Sequence, residues 1–103
     1  MSRGTPWNPL PGFTTFAENV EANPQYALHI VNVEQFYRDV AENALPAVAW
    51  MVPDATVSEH PPANIVDGMN YVTSLVNTIM QSRYYDDTII FITWDDWGGS
   101  VIT

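Results

Sequence analysis

The sequence predicts an α/β chain built on parallel strands, and three observations predict it. Thr88 to Trp94 is an almost uninterrupted run of β-branched and aromatic residues, which reads as a strand covered on both faces. Ala47 to Val52 is a second short apolar run, closed by Pro53-Asp54. Between them, Ile65 to about Ser82 carries helical periodicity, and a crossover helix of that length implies parallel strands joined right-handedly.

Taken in order, Ser2 to Phe13 holds Pro6, Pro9, Pro11, Gly4 and Gly12 and reads as an irregular loop, pinned by Trp7 and Phe13. Thr14 to Ile30 shows no clear period and contains the turn signal Asn23-Pro24, so residues 1–31 are expected to be mostly loop. His29 lies in this part and reads as a histidine at a segment edge. Val33, Phe36, Tyr37, Val40 and Ala44 then fall on one helical face. Asn32 suits the N-cap, Gln35 completes a capping-box pattern, and the helix should end near Asn43, ahead of Pro46.

After the Ala47–Val52 run comes Ala55 to Pro62, a polar loop in which Pro61 and Pro62 fix the backbone directly after His60. The long helix follows. Ile65, Met69, Val72, Val76 and Ile79 step by four and three, and Val66, Leu75 and Met80 widen the stripe. Asn64 is the expected N-cap, and Asp67 suits the positive end of the helix dipole. Arg83 to Asp87 reads as the turn into the last strand. Residues 32–99 thus read as helix, strand, loop, helix, strand. Both strands look doubly buried and need neighbours that these residues do not supply, so the sequence predicts a piece of a larger α/β domain with an incomplete sheet.

Composition narrows the function. The 103 residues are 47% hydrophobic and suffice for one small domain. Three Arg, no Lys and twelve acids give a formal charge of −9, which argues against nucleic acid and against a polybasic membrane role. With no cysteine, disulfides and thiolate metal sites are excluded. The amino terminus has no apolar h-region and reads as no signal peptide. The longest apolar run, Ala44 to Val52, is too short to span a bilayer, so no transmembrane segment is expected.

The chemistry-bearing residues gather at two places. Asp95 and Asp96 follow the last strand directly, at the edge where open α/β sheets bind ligands, and adjacent carboxylates are hard-oxygen ligands for a divalent cation. Gly98-Gly99 lets the backbone turn sharply. The loop holding His60 leaves the carboxyl end of the other strand, so parallel strands would aim it at the same crevice. The plain alternatives are a strand ending in an acidic turn and a solvated connector with an incidental histidine.

Five motifs occur in order: Trp7-Asn8-Pro9-Leu10-Pro11, Phe36-Tyr37-x-Asp39, Leu45-Pro46-x-Val48-x-Trp50, Ser58-Glu59-His60-Pro61-Pro62 and Thr93-Trp94-Asp95-Asp96-x-Gly98-Gly99. Together they resemble the carboxyl-proximal part of the bacterial phosphoesterase family, which includes phospholipases C and an acid phosphatase and belongs to the alkaline-phosphatase-like superfamily. The resemblance implies part of a three-layer α/β/α sandwich. It implies a phosphate-ester or phospholipid substrate, cleaved through a metal-associated hydroxyl nucleophile. It further implies Asp95 and Asp96 as metal ligands (Ca²⁺, Mg²⁺ or Mn²⁺ all suit oxygen donors) and His60 as a phosphate-contacting or leaving-group-side residue. Secretion or a periplasmic location also follows from the resemblance.

The departures matter as much. The family's amino-terminal Glu-Asn-(Arg or His)-Ser-Phe-Asp motif has no counterpart here, since Val20-Glu21 follows Glu18-Asn19. The family's nucleophilic Ser or Thr lies upstream of the matching stretch. After Gly99 the family continues to Asp-His-Val, whereas this chain reads Ser100-Val101-Ile102-Thr103. A truncated or frame-shifted reading frame is the expectation, with the isolated chain inactive. Two other readings stay open. One is an interaction module whose unpaired sheet edges self-associate or meet a partner. The other is a small acidic cation-binding protein.

Overall fold

Two helices that pack together and share four buried side chains make the core. The computed structural model of the chain describes residues 7–95. Helix α1 spans Thr14–Ala22, α2 Val33–Ala41 and α3 Ile65–Met80, with short 3₁₀ turns at Leu10–Gly12, Pro24–His29 and Tyr85–Asp87.

Helix α2 forms as its sequence dictates, with one difference. Asn32 Oδ1 accepts from the Gln35 backbone N–H at 3.3 Å. The Gln35 side chain does not close the capping box. It donates forward to Asp39 Oδ1 at 2.6 Å instead. At the other end, Asn43 takes φ 59°, and the N–H groups of Ala44 and Asn43 reach back to the carbonyls of Asp39 and Val40. This is a Schellman termination with Asn at the left-handed position, where its short polar side chain is tolerated. It stops the helix at Ala41 rather than letting it run to Asn43.

Helix α3 is capped by Asn64, whose Oδ1 accepts from the Val66 N–H at 2.8 Å, and Asp67 lies in its first turn. Leu75 and Ile79 meet Phe36 and Val40 of α2 in the core, with Val33, Tyr37, Leu45, Tyr71 and Tyr84 packed around them. Two polar contacts tie the edges. Tyr37 Oη and Ser74 Oγ lie 2.8 Å apart, and Tyr84 Oη accepts from the Leu45 N–H at 3.2 Å. Of the rest of the predicted α3 stripe, Val72 and Val76 are half-buried, and Ile65, Val66, Met69 and Met80 are exposed.

The expected α/β sandwich is overturned. Among the described residues there is no strand and no sheet, and every regular element is helical. Ala47–Val52 and Thr88–Trp94 run without a ladder. Val48 is 71% exposed, Trp50 87%, Ile89 81% and Phe91 88%, the opposite of doubly buried. The physical reason is pairing. A strand's N–H and C=O groups are satisfied only by a neighbour, and neither run finds one. With no strands, the parallel crossover and the incomplete-sheet architecture also fall.

A second difference lies at the amino end, where Thr14–Ala22 is helix rather than loop and Pro24–His29 is a 3₁₀ turn. Phe16 and Tyr26 join them, with ring centroids 5.5 Å apart, and Tyr26 in turn meets His29 edge-on at 4.6 Å. These aromatic contacts supply what local periodicity did not.

Candidate functional site

The loop Asp54–Ala63 is built from its own polar side chains. Asp54 Oδ1 accepts from both the Thr56 N–H, at 2.9 Å, and the Thr56 hydroxyl, at 2.6 Å. These bonds hold the Asp54 carboxyl below the usual carboxylate range, with the hydroxyl the larger cause. Ser58 Oγ donates to the Ala55 carbonyl and accepts from the His60 N–H, both at 3.1 Å. The loop then reverses over Pro61-Pro62, a cis pair, with the Ala63 N–H donating to the His60 carbonyl at 2.7 Å.

His60 is exposed and its ring is oriented on two sides. Nδ1 lies 2.7 Å from the Pro61 carbonyl oxygen. A carbonyl only accepts, so Nδ1 carries the proton. Nε2 is then the acceptor nitrogen of the neutral ring. On its face, His60 meets Trp7, with centroids 5.7 Å apart and planes tilted by 37°.

Glu59 has the left-handed value φ 63°. For a residue with a Cβ this costs about 1–2 kcal/mol, and such outliers persist where the surroundings hold them. Here the side chain lies against α3 at the buried Gly68, and its Oε2 accepts from the Trp94 indole Nε1–H at 2.9 Å. Three of the five sequence motifs therefore converge. Trp7 comes from the first, Glu59 and His60 from the fourth, and Trp94, followed by the exposed Asp95, from the fifth.

Of the expected site residues, His60 and Asp95 belong to segments that meet through the Trp94–Glu59 bond, while Asp96 and Gly98-Gly99 lie outside the described residues. Among the described residues, no three His, Asp or Glu side chains group so as to hold a metal ion. Asp95 is an oxygen donor of the right chemistry, but the described residues do not complete a cation site. The sequence reads Trp7 only as pinning its loop, and gives Glu59 no role beyond its place in the fourth motif and Gly68 none. The available signal was Gly68, a lone glycine within a helical pattern, which marks close approach by something else.

The family model described as the phosphoesterase family matches residues 5–103 of this chain. The chain belongs to the phosphoesterase family. It is similar to phospholipase C A of Mycobacterium tuberculosis, at 34% identity over 65 residues, covering 62% of this chain and 12% of the relative. It is also similar to the non-hemolytic phospholipase C of Pseudomonas aeruginosa, at 28% identity over 96 residues, covering 89% of this chain and 14% of the relative. The chain thus spans about an eighth of the length of the curated relatives it matches. No solved structure matches it.

Proposed function

We propose that these residues supply one side of the phosphate-ester-cleaving centre of a phospholipase C-like hydrolase. The carrying observation is the meeting of the His60 loop with the Trp94-Asp95 segment through the 2.9 Å Trp94–Glu59 hydrogen bond. Asp95 and Asp96 would hold a divalent cation, Ca²⁺, Mg²⁺ or Mn²⁺, which when bound supplies positive charge for a phosphoryl group. His60, with Nδ1 committed to the Pro61 carbonyl, acts through Nε2. As the imidazolium it donates to a phosphoryl or leaving oxygen, and it returns as a base once neutral. The nucleophile and the remaining ligands come from outside these 103 residues, so the isolated chain is inactive. Secretion or periplasmic residence fits a phospholipid substrate.

The test is a chimera. Residues 5–103 replace the matching segment of the Pseudomonas aeruginosa phospholipase C, with circular dichroism and gel filtration checking the fold. Hydrolysis of a nitrophenyl phosphodiester should fall about a hundred-fold or more with Asp95→Ala or His60→Ala. A folded, active chimera indifferent to both substitutions would sink the proposal. Turnover by the isolated chain, abolished by Asp95→Ala, would overturn its inactivity.

The exposure of Val48, Trp50, Ile89 and Phe91 favours a second reading, an interaction module that covers these runs by self-association or with a partner. Sedimentation discriminates. A monodisperse dimer supports the module, and a monomer opposes it.

A further inference from the structure

We infer that Glu59 is the positioning residue that fixes Asp95 relative to His60, and that Gly68 is the clearance its side chain requires. The assignment of chemical roles to Asp95 and His60 rests on the phosphoesterase reading. The anchoring itself rests only on contacts within this chain.

Two features that are locally unfavourable serve the same side chain. Glu59 adopts a left-handed backbone despite having a Cβ. Gly68 sits inside α3, where alanine would be the better helix former. Both make sense together. A Cβ at Gly68 would collide with Glu59 Cγ and lie 2.9 Å from Oε1 and 3.0 Å from Cδ. The left-handed turn is thus accompanied by a side chain laid across the bare backbone of α3. Of the two carboxylate oxygens, Oε1 lies on the Gly68 side and Oε2 takes the Trp94 indole.

The placement has a direct consequence for the candidate site. His60 follows Glu59 in the chain and Asp95 follows Trp94. The two residues that make this hydrogen bond are therefore the chain neighbours of His60 and Asp95, with Cα atoms about 3.8 Å apart in each neighbouring pair. Asp95 has no helix or ladder to hold it among the described residues, and the run before it is exposed. Among the described residues, Trp94–Glu59 is the side-chain hydrogen bond that anchors this segment to the loop packed against α3. An indole N–H donating to a carboxylate is a charge-assisted bond, stronger than a neutral pair.

The experiment is nuclear magnetic resonance on the ¹⁵N-labelled 103-residue chain, with Trp94→Phe assigning the Trp94 indole signal. That indole proton should lie downfield of an exposed indole and exchange slowly with water. Glu59→Ala should abolish both properties and raise the ps–ns mobility of the Asp95 amide, leaving the α3 amides unchanged. Glu59→Gln, whose amide oxygen can accept the same bond, should keep most of the shift. Gly68→Ala should lose the shift while helix content by circular dichroism holds or rises.

The inference is overturned if the Trp94 indole has an exposed-indole signal in the parent chain, including the case of an unfolded chain. It is overturned too if Gln behaves as Ala at position 59, or if Gly68→Ala leaves the signal in place. Failure here leaves the effect of Asp95→Ala in the chimera standing. Failure of the chimera leaves these resonances as described.

Discussion

The indole Nε1–H of Trp94 donates to Oε2 of Glu59 at 2.9 Å, across 35 residues of chain. It joins an apolar run that has no ladder to a loop that has no regular structure. Both ends flank residues of the candidate site. The stability of the parts around this bond can be tested separately, because they draw on different forces.

The α2–α3 core is small, so each member matters. Ile79→Ala removes buried methyl groups from a cluster shared with Phe36, Val40 and Leu75. The expected cost is about 2–4 kcal/mol, large enough to abolish cooperative unfolding in a chain with a core of this size. Urea denaturation followed by circular dichroism checks it. An unchanged midpoint would mean the α2–α3 packing is not the core.

The helix caps should be measurable one at a time. Asn64→Ala deletes the acceptor for the Val66 N–H and should destabilise by about 1 kcal/mol, with Asn64→Gly costing only a few tenths. Equal losses for the two substitutions would argue that the Asn64 side chain does not cap α3.

Asp54 gives a pH dependence with a definite sign. The Thr56 hydroxyl, then the Thr56 N–H, favour the ionised carboxylate in the folded chain, so its pKa lies below its ordinary value of 3.8. A lowered pKa contributes stability above the unfolded value, and that contribution disappears as pH falls through the folded one. Carboxyl carbon titration should place the Asp54 midpoint below 3.8, and Thr56→Val should move it back up. A midpoint unaffected by Thr56→Val would show that the hydroxyl bond does not form in solution.

Exposed aromatic residues should affect association and not folding. Trp50→Ser and Phe91→Ser remove side chains that are 87% and 88% exposed, so the unfolding free energy should change by no more than about 0.5 kcal/mol. If the interaction-module reading holds, the same pair shifts sedimentation toward monomer. A large loss of stability instead would mean these side chains are buried in the monomer.

What was legible in the sequence is what local forces decide. Asn32 and Asn64 are caps because a short polar side chain reaches an N–H two or three residues on, and no distant residue is needed. The faces of α2 and α3 follow from the spacing of Phe36 and Val40 and of Leu75 and Ile79. Helix α1 escaped because its support is tertiary: Phe16 rests on Tyr26, beyond a turn. The two strand-like runs misled for the converse reason. β-branched and aromatic residues announce an extended, apolar segment, but a strand exists only when another chain segment completes its hydrogen bonds.

The sequence by itself determined the family, through motifs spread over residues 5–103, and determined where two helices begin and which faces they bury. The tertiary structure alone decided that Thr88–Trp94 is not a strand and that its end is held by Glu59. It also decided that Gly68 is a clearance. The physical reason is range. Capping and periodicity act within a turn of helix, whereas strand pairing, a left-handed glutamate and its indole partner depend on groups tens of residues apart, and no local pattern records which of them will meet.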